Sequence, residues 1–227
     1  EEKQNIFINL SPTLATIKLK NTIAGNNCSI LFAEYTRYAT MFNTQQTSLD
    51  LTIELFNELT QFVNKLNPEI KSKIKFRVKH LVSGYNAEKR FSKMFGEKYI
   101  DKPSIKNSFK KTMQNSKLII HTFAGTAFSE TMHCNIPTVL IIEKNSLEFL
   151  TNAGLHTFND LKKNKIAFND FNEATTHINN HWKQLDLWWK SENVQFARKK
   201  FLENFFNVKS DWYKEWSDYI YFLSSSQ

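Results

Sequence analysis

The segment that indicates the fold most clearly is residues 118–130, with the sequence LIIHTFAGTAFSE. Its apolar beginning predicts a buried strand over Lys117–His121, followed by a turn over Thr122–Gly125 and a helix over Thr126–Cys134. A strand, a tight turn and a helix in this order are typical of a parallel α/β sheet. Ligands of such sheets bind beyond the carboxyl ends of the strands, so a binding site is expected at this turn.

The same alternation of strands and helices continues on both sides of that stretch. Further strands are predicted at Ser29–Ala33, Lys73–His80, Lys98–Ile100 and Pro137–Ile142. Apolar and basic residues alternate strictly over residues 73–80, which predicts a strand with one solvent-exposed face that carries Arg77. The helices between them are predicted at Leu51–Leu66, Ala87–Phe95 and Ser104–Asn115, the last with Ser104 as its N-cap. We therefore predict an α/β protein with a Rossmann-like parallel sheet flanked by helices.

The last third of the chain is predicted to be almost entirely helical and rich in aromatic residues. The helices are predicted at Ser146–Thr151, Asn172–Trp182, Glu192–Phe206 and Asp211–Leu223. The pair Trp188-Trp189 is predicted to lie in the core. A stripe on the last helix is predicted to do the same, and it consists of Trp212, Trp216, Tyr219 and Leu223.

Composition excludes several classes of protein. The chain has 227 residues, of which 41% are hydrophobic and 14% aromatic, enough to form a buried core. Its five glycines are widely spaced, which excludes a G-x-G-x-x-G dinucleotide loop and a Walker A loop. Cys28 and Cys134 lie far apart, which excludes a zinc ribbon and suits a reducing compartment. No apolar run approaches the roughly 18 residues of a membrane-spanning helix.

The positive charge is concentrated in one block. The chain carries a net charge of +8, but residues 65–117 alone hold 15 basic and four acidic side chains. Such a block indicates an anionic partner, and it fits a solvated lysine-rich surface equally well. Lysine heavily outnumbers arginine, whereas proteins that read nucleic acids favour arginine, so no nucleic-acid partner is predicted.

The turn after residue 121 has the chemistry of a phosphate-binding site. The first N–H groups and the positive dipole end of the following helix favour an anion, and Gly125 permits a close approach to the backbone. Thr122, Thr126 and Ser129 add hydroxyl groups. Glu130 follows Thr126 by one helical turn and can accept hydrogen bonds from ribose or sugar hydroxyls. Many α/β proteins have such a turn without a ligand, so the residues alone leave both interpretations open.

Two groups of histidines are further candidates. His80 and His121 end predicted strands, where each can bond a phosphate or a base edge, or serve in the core. One predicted helix carries potential zinc ligands four residues apart, Glu173, His177 and His181. The glutamate that usually follows the first histidine of a zinc-binding helix is missing. We therefore expect no metal.

Four segments together carry a resemblance to a known family. Residues 116–142 resemble the C-terminal nucleotide-sugar domain of GT-B glycosyltransferase-like enzymes. They resemble more closely a family of bacterial surface-carbohydrate transferases, in which a Thr-Tyr-Asn-x-Thr-Thr-x-Leu-Glu run precedes Asn-Ile-Pro-Thr. Residues 30–38, 76–85 and 188–198 resemble further segments of that family in the same order. There are departures, because Ala124 stands where the family has Asn and His80 stands where Pro is common.

The resemblance implies a metal-independent glycosyltransferase-like enzyme of bacterial surface polysaccharide biosynthesis. Its donor would be a nucleotide-sugar, with no other cofactor, and its acceptor a saccharide or a lipid-linked saccharide. The implied donor-binding residues are Arg37, Arg77, His80, Thr122, Ala124, Gly125, Thr126, Ser129 and Glu130. No catalytic residue is identified. The alternatives are a nucleotide-sugar epimerase, a transferase of phosphoalditols such as glycerophosphate, and a non-catalytic nucleotide-binding module. A nucleic-acid-binding protein is a further alternative, which only the basic block supports.

The resemblance also implies a division of the chain. Residues 1–27 would be a linker or the end of an N-terminal domain, residues 28–190 the nucleotide-sugar-binding domain, and residues 191–227 the C-terminal helices. The acceptor would be bound by an N-terminal domain that precedes Glu1, which agrees with the absence of an initial methionine. We expect a cytoplasmic protein that can contact the acidic inner face of the membrane.

Overall fold

A sheet of five parallel strands forms the centre of the described part of the chain. The structure is a computed structural model, and it describes residues 25–33, 49–79, 85–104, 106–142, 151–206 and 211–225. The strands are β1 (Asn27–Ala33), β2 (Ile74–Lys79), β3 (Ser116–His121), β4 (Thr138–Ile141) and β5 (Ala167–Phe168). Their order in the sheet is β2-β1-β3-β4-β5, and each neighbouring pair is parallel. The predicted α/β class with a Rossmann-like parallel sheet is confirmed.

Helices cover both faces of this sheet. Before β4 they are α1 (Leu49–Lys65), α2 (Pro68–Lys71), α3 (Ala87–Phe95), α4 (Phe109–Asn115) and α5 (Thr126–His133). After β4 they are α6 (Asn152–Lys163), α7 (Phe171–His181), α8 (Leu185–Trp189), α9 (Glu192–Phe205) and α10 (Trp212–Ser225). Single 3₁₀ turns lie at Glu97–Tyr99 and Trp182–Gln184.

Side chains alternate between the two faces of the sheet and so divide the core. Phe32, Phe76 and Ile120 pack with the apolar residues of α1, α3 and α7 in the larger core cluster. On the opposite face, Leu31 and Ile119 pack with α4 and the segment around α5. A third cluster joins β4 and β5 to α5, α6, α8 and α9. The helix α5 is therefore held between the sheet and the C-terminal helices.

Two predicted elements between β2 and β3 are wrong. Residues 98–100 are not a strand, because Glu97–Tyr99 is a 3₁₀ turn and only Ile100 forms a bridge, to Phe76. The predicted N-cap Ser104 does not begin a helix, since α4 begins at Phe109 and the Ser104 Oγ accepts the Asn107 N–H in a turn. Asp101 and Asn107 instead bond Arg77 of β2 in a partly buried ion pair and hydrogen bond, described below.

The C-terminal region agrees with the predictions in part. Trp189 is buried and Trp188 is partly buried, as predicted for the core. The stripe on α10 is not a buried core, because Trp216 and Tyr219 are half-buried and Leu223 is 49% exposed. The helix α6 and the two-residue strand β5 were not predicted, and most of the predicted helix at residues 146–151 lies outside the described residues.

Two findings concern the chain as a whole. None of the described helices combines the length and the apolar character needed to cross a bilayer. The proposed boundaries after residues 27 and 190 stay predictions, and residues 1–24 lie outside the described part of the chain.

Candidate functional site

The candidate turn, Thr122–Gly125, lies at the point where the order of strands reverses. It follows β3, which pairs with β1 on one side and with β4 on the other. In a sheet of order 2-1-3-4-5 the chain winds outward in both directions from the β1–β3 junction, and the loops that leave this junction form a crevice. The Thr122 hydroxyl closes the junction by donating to the Leu31 carbonyl oxygen of β1 at 3.1 Å. The site predicted from sequence therefore lies at the usual ligand position of such sheets.

The amino end of α5 offers unpaired N–H groups at this crevice. The N–H groups of Phe128 and Ser129 donate to the Gly125 carbonyl oxygen at 3.0 and 3.3 Å. The N–H groups of Thr126 and Ala127 have no hydrogen-bond partner among the described residues. Gly125, the N-cap, has no side chain with which to cap the helix, and the first turn contains no acidic residue. The positive end of the helix dipole is therefore left without a local counter-charge.

Gly125 is required by the ring of Phe123. A Cβ atom placed on Gly125 would lie 2.3 Å from Cε2 of Phe123, well inside contact distance. The backbone of Gly125 is extended, with φ −113°, so conformational freedom is not the reason for glycine. The ring instead passes directly over the N-cap, so any larger residue would have to move it away from the turn.

The remaining residues of the motif differ in how accessible they are. Ala124 and Thr126 are exposed at the turn, whereas Ser129 is buried and its Oγ lies 3.5 Å from the Gly125 carbonyl oxygen. Glu130 is half-buried, its carboxylate has no hydrogen-bond partner among the described residues, and burial raises its pKa. Exposed donors at the top of the helix and an unpaired carboxylate one turn below them fit a ligand that is anionic at one end and rich in hydroxyls at the other.

One of the two alternatives for His121, bonding a phosphate or a base edge, required its side chain to face the crevice. The side chain does not face it. Its side chain is fully buried beneath α5, because its register on β3 directs it to the face that α5 covers. The Thr131 hydroxyl donates to the Phe128 carbonyl oxygen at 2.7 Å, so the His121 Nε2 donates to Thr131 Oγ1 at 3.1 Å. Its Nδ1 has no hydrogen-bond partner among the described residues, and burial lowers the pKa of the ring to about 3. His121 is a neutral core residue.

Arg77 lies on the same face of the sheet as His121, and its guanidinium group already has hydrogen-bond partners. It aligns with Leu31, which in turn aligns with His121. Its Nη1 forms an ion pair with Asp101 Oδ2 at 3.2 Å, and its Nη2 donates to the Asn107 carbonyl oxygen at 3.0 Å. Thr112 also donates to Asp101, at 2.6 Å. The Arg77 side chain was predicted to lie on a solvent-exposed strand face, but the structure places it against Asp101 and Asn107. Two other predicted binding residues, Arg37 and His80, lie outside the described residues.

The histidines of α7 form a stacked pair. The rings of His177 and His181 lie 4.3 Å apart, with Trp188 edge-on to His177 at 4.8 Å. Glu173 pairs instead with Lys165 at 2.5 Å. Within the described residues no group of three or more potential metal ligands is formed. Burial, and then the nearby His181 and Lys165, lower the pKa of His177 to about 4.

These two buried histidines predict an acid-sensitive fold. The unfolded chain binds a proton at each ring near pH 6.5, whereas in the folded state the pKa of His121 is about 3 and that of His177 about 4. The free energy of unfolding should therefore be unaffected above pH 6.5 and fall below it, by about 1.4 kcal/mol per pH unit for each ring. Melting temperatures of the wild type and of His177→Phe between pH 4 and 7 check this. The variant should show the shallower decline, and identical slopes would contradict the prediction.

Sequence reasoning did not assign a role to Asn135, Gln195 or Arg198. The three side chains meet in the structure at the carboxyl end of α5, although more than 50 residues of sequence separate the first from the other two. The available signal was their position in two of the segments that carry the family resemblance, Asn135-Ile136-Pro137 and Val194–Arg198.

The comparison with known proteins concerns nearly the whole chain. The model of a family described as LIC12162 family transferase matches residues 1–220. No curated protein and no solved structure matches the chain.

Proposed function

Because the chain belongs to the LIC12162 family of transferases, we propose that it is the donor-binding half of a metal-independent glycosyltransferase-like enzyme. The donor is a nucleotide-sugar, and the pathway is the biosynthesis of bacterial surface polysaccharide. The observation that carries the proposal is the uncapped, uncharged amino end of α5 at the junction of β1 and β3. This is where an α/β sheet binds phosphorylated ligands, and nothing in the first turn competes with a bound anion.

In this proposal the diphosphate of the donor accepts hydrogen bonds from the N–H groups of Thr126 and Ala127. The Thr126 hydroxyl is exposed at the same position and adds a third donor. When the sugar leaves, negative charge grows on the diphosphate, and N–H groups that are already fixed in place stabilise it without reorganising. The protein can therefore lower the barrier to transfer without a metal ion at this position.

Glu130 is proposed to accept hydrogen bonds from the hydroxyls of the ribose or the sugar. Its carboxylate is half-buried and has no partner among the described residues, a state that costs free energy until a donor arrives. Binding of a hydroxyl would favour the charged form, so the raised pKa of Glu130 should fall when the donor binds. Thr122 and Ser129 shape the site through their bonds to Leu31 and Gly125.

The proposed cations of the site are Arg37 and, to a smaller extent, Arg77, and His80 is proposed to bond a phosphate or a base edge. Arg77 can reach a phosphate only by exchanging Asp101 for it, since their ion pair occupies the guanidinium. Ala124 is exposed in the turn, where its methyl group leaves room for a ligand but offers no hydrogen bond.

A panel of nucleotide-sugars tests the proposal by thermal shift. A donor present at about 100 times its Kd should stabilise the fold by about 2.7 kcal/mol. Transfer of the sugar to an acceptor, measured with the full-length enzyme, separates a transferase from an epimerase or a binding module. If no nucleotide-sugar shifts the melting temperature while glycerophosphate-type donors do, the phosphoalditol alternative replaces this proposal.

Gly125→Ala should weaken donor binding about tenfold, because the new Cβ forces the Phe123 ring to move and so changes the turn that binds the donor. Titration calorimetry with the donor from the panel measures this. The control is Ser72→Ala, at an exposed position whose hydroxyl donates to the Glu69 carbonyl oxygen, and it should bind as the wild type does. An unchanged affinity in the Gly125 variant would show that the ligand does not approach the N-cap.

The acceptor, whether a saccharide or a lipid-linked one, is proposed to be bound by an N-terminal domain of the same chain. A lipid-linked acceptor also requires that the enzyme approach a membrane. Lys106, Lys110 and Lys111 are exposed, and none of them pairs with a carboxylate among the described residues. We propose that this lysine face contacts an acidic membrane surface, where each lysine contributes about 1 kcal/mol.

Co-sedimentation with vesicles of phosphatidylcholine and phosphatidylglycerol tests the lysine face. Changing Lys106, Lys110 and Lys111 to Gln should weaken binding about 100-fold. The same change at three other exposed lysines, Lys163, Lys183 and Lys199, is the control for net charge and should have little effect. Equal losses in the two triple variants, or binding of polynucleotide in place of vesicles, would overturn this part of the proposal.

A further inference from the structure

Three side chains from α8 and α9 close around the carboxyl end of α5. Trp189 donates its Nε1–H to Asn135, whose carbonyl oxygen and Oδ1 lie at 3.1 and 2.9 Å. Gln195 Nε2 donates to the same Oδ1 at 3.1 Å and to the Trp189 carbonyl oxygen at 2.7 Å. Arg198 Nε donates to Gln195 Oε1 at 3.1 Å, and its Nη1 donates to the Met132 carbonyl oxygen at 2.6 Å. These residues form one continuous network that ends on the last turn of α5.

Asn135 is also the residue at which α5 is terminated. It has a left-handed backbone, with φ +55°, which asparagine tolerates better than most residues. Its N–H donates to the Met132 carbonyl oxygen at 3.2 Å, and the next N–H, of Ile136, donates to the Thr131 carbonyl oxygen at 3.1 Å. The network therefore holds the helix terminus itself and not a neighbouring loop.

Arg198 is an unusual residue for this place, because its side chain carries a charge and the residue is only 9% exposed. It pairs with no carboxylate among the described residues. A buried cation without an acidic partner is costly unless other groups compensate it. Here the compensation comes from the Gln195 and Met132 oxygens and from the negative dipole end of α5. The charge of Arg198 is thus directed at α5.

We propose that Arg198 is a positioning residue for the donor site, which clamps the carboxyl end of α5 and thereby fixes where its amino end presents the free N–H groups. This inference rests on the proposed function. The helix has eight residues and is about 12 Å long, so it moves as one short rigid body. A tilt of about 10° at the clamped end would move the amino end by about 2 Å, and a misplacement of about 1 Å can cost 100-fold in a reaction that depends on positioning.

Two substitutions of Arg198 separate positioning from charge. Arg198→Met removes both, whereas Arg198→Lys keeps the charge but cannot bond Gln195 and Met132 together through a planar fork. The control is Val63→Ala, which opens a cavity in α1 on the opposite face of the sheet and destabilises the fold without touching α5. Donor affinity is measured by calorimetry at a temperature at which every variant is folded, and amide hydrogen exchange of α5 is measured without ligand.

Both Arg198 variants should raise the Kd for the donor at least tenfold. Val63→Ala should leave the Kd at the wild-type value and speed exchange in α5 less than Arg198→Met does, because its loss of stability is not centred on α5. Full recovery of affinity in Arg198→Lys would reduce the effect to charge and overturn the inference. So would α5 exchange in Arg198→Met no faster than in Val63→Ala. If the wild type binds no donor, the proposed function fails, and the exchange experiment still decides whether Arg198 holds α5 in place.

Discussion

Replacing Phe91 with alanine is expected to lower the free energy of unfolding by about 3–5 kcal/mol. Phe91 is fully buried on α3. Its ring stacks on Phe76 at 4.3 Å and lies 4.5 Å from the ring of Phe56 and 5.4 Å from that of Phe32. It thereby joins β1, β2, α1 and α3, and each such ring pair contributes about 0.5–1.5 kcal/mol beyond the burial of its area.

Urea unfolding measures this loss. Met94→Ala is the control because Met94 lies on the same helix but is 52% exposed, so its loss should stay within about 0.5 kcal/mol. A whole domain is stable by only about 5–15 kcal/mol, so Phe91→Leu provides a milder variant if the alanine variant does not fold. A loss below about 1 kcal/mol in Phe91→Ala would show that the aromatic cluster is not the centre of the core.

Thr126→Asp is expected to abolish donor binding while stabilising the fold. The position is exposed and lies in the first turn of α5, which has no acidic residue. A carboxylate there meets the helix dipole favourably and should add about 0.3–1 kcal/mol to the free energy of unfolding. The same carboxylate occupies the place proposed for the diphosphate and repels it, so affinity should fall at least 100-fold, or by about 2.7 kcal/mol.

The opposite signs of these two effects make the prediction specific. Thr126→Asn, which has nearly the shape of Asp without its charge, is the matched control and should lose less than tenfold in affinity. Calorimetry gives the affinities and thermal melting gives the stabilities. A donor that binds Thr126→Asp as tightly as the wild type would place the diphosphate elsewhere.

Much of the fold could be predicted because it depends on local periodicity. The strict alternation of residues 73–80 predicted β2, and the helical spacing of Leu55, Leu59 and Phe62 predicted α1. The errors fall where a few residues carry little pattern. The strand β5 has only two residues, and Asp101 and Asn107 are held by contacts with Arg77 that no local periodicity indicates.

The site could be predicted in its position but not in its details. The turn after β3 followed from strand, glycine and helix signals, which are local. The burial of His121 could not be read from its place at a strand end, because it depends on how α5 folds back over the sheet. The partner of Arg77 is Asp101, and the network of Arg198 reaches Met132, 66 residues away. Pairings between residues so far apart in the sequence are decided by tertiary packing.

Binding of a nucleotide-sugar at the amino end of α5 can be followed at each backbone amide separately by NMR, in a titration of the ¹⁵N-labelled protein with the donor. The largest shift changes are expected at Thr126 and Ala127, the two amides of the first turn that have no partner among the described residues, with none of comparable size in α10. Saturable donor binding that leaves the amides of residues 125–127 unchanged would show that the donor binds elsewhere.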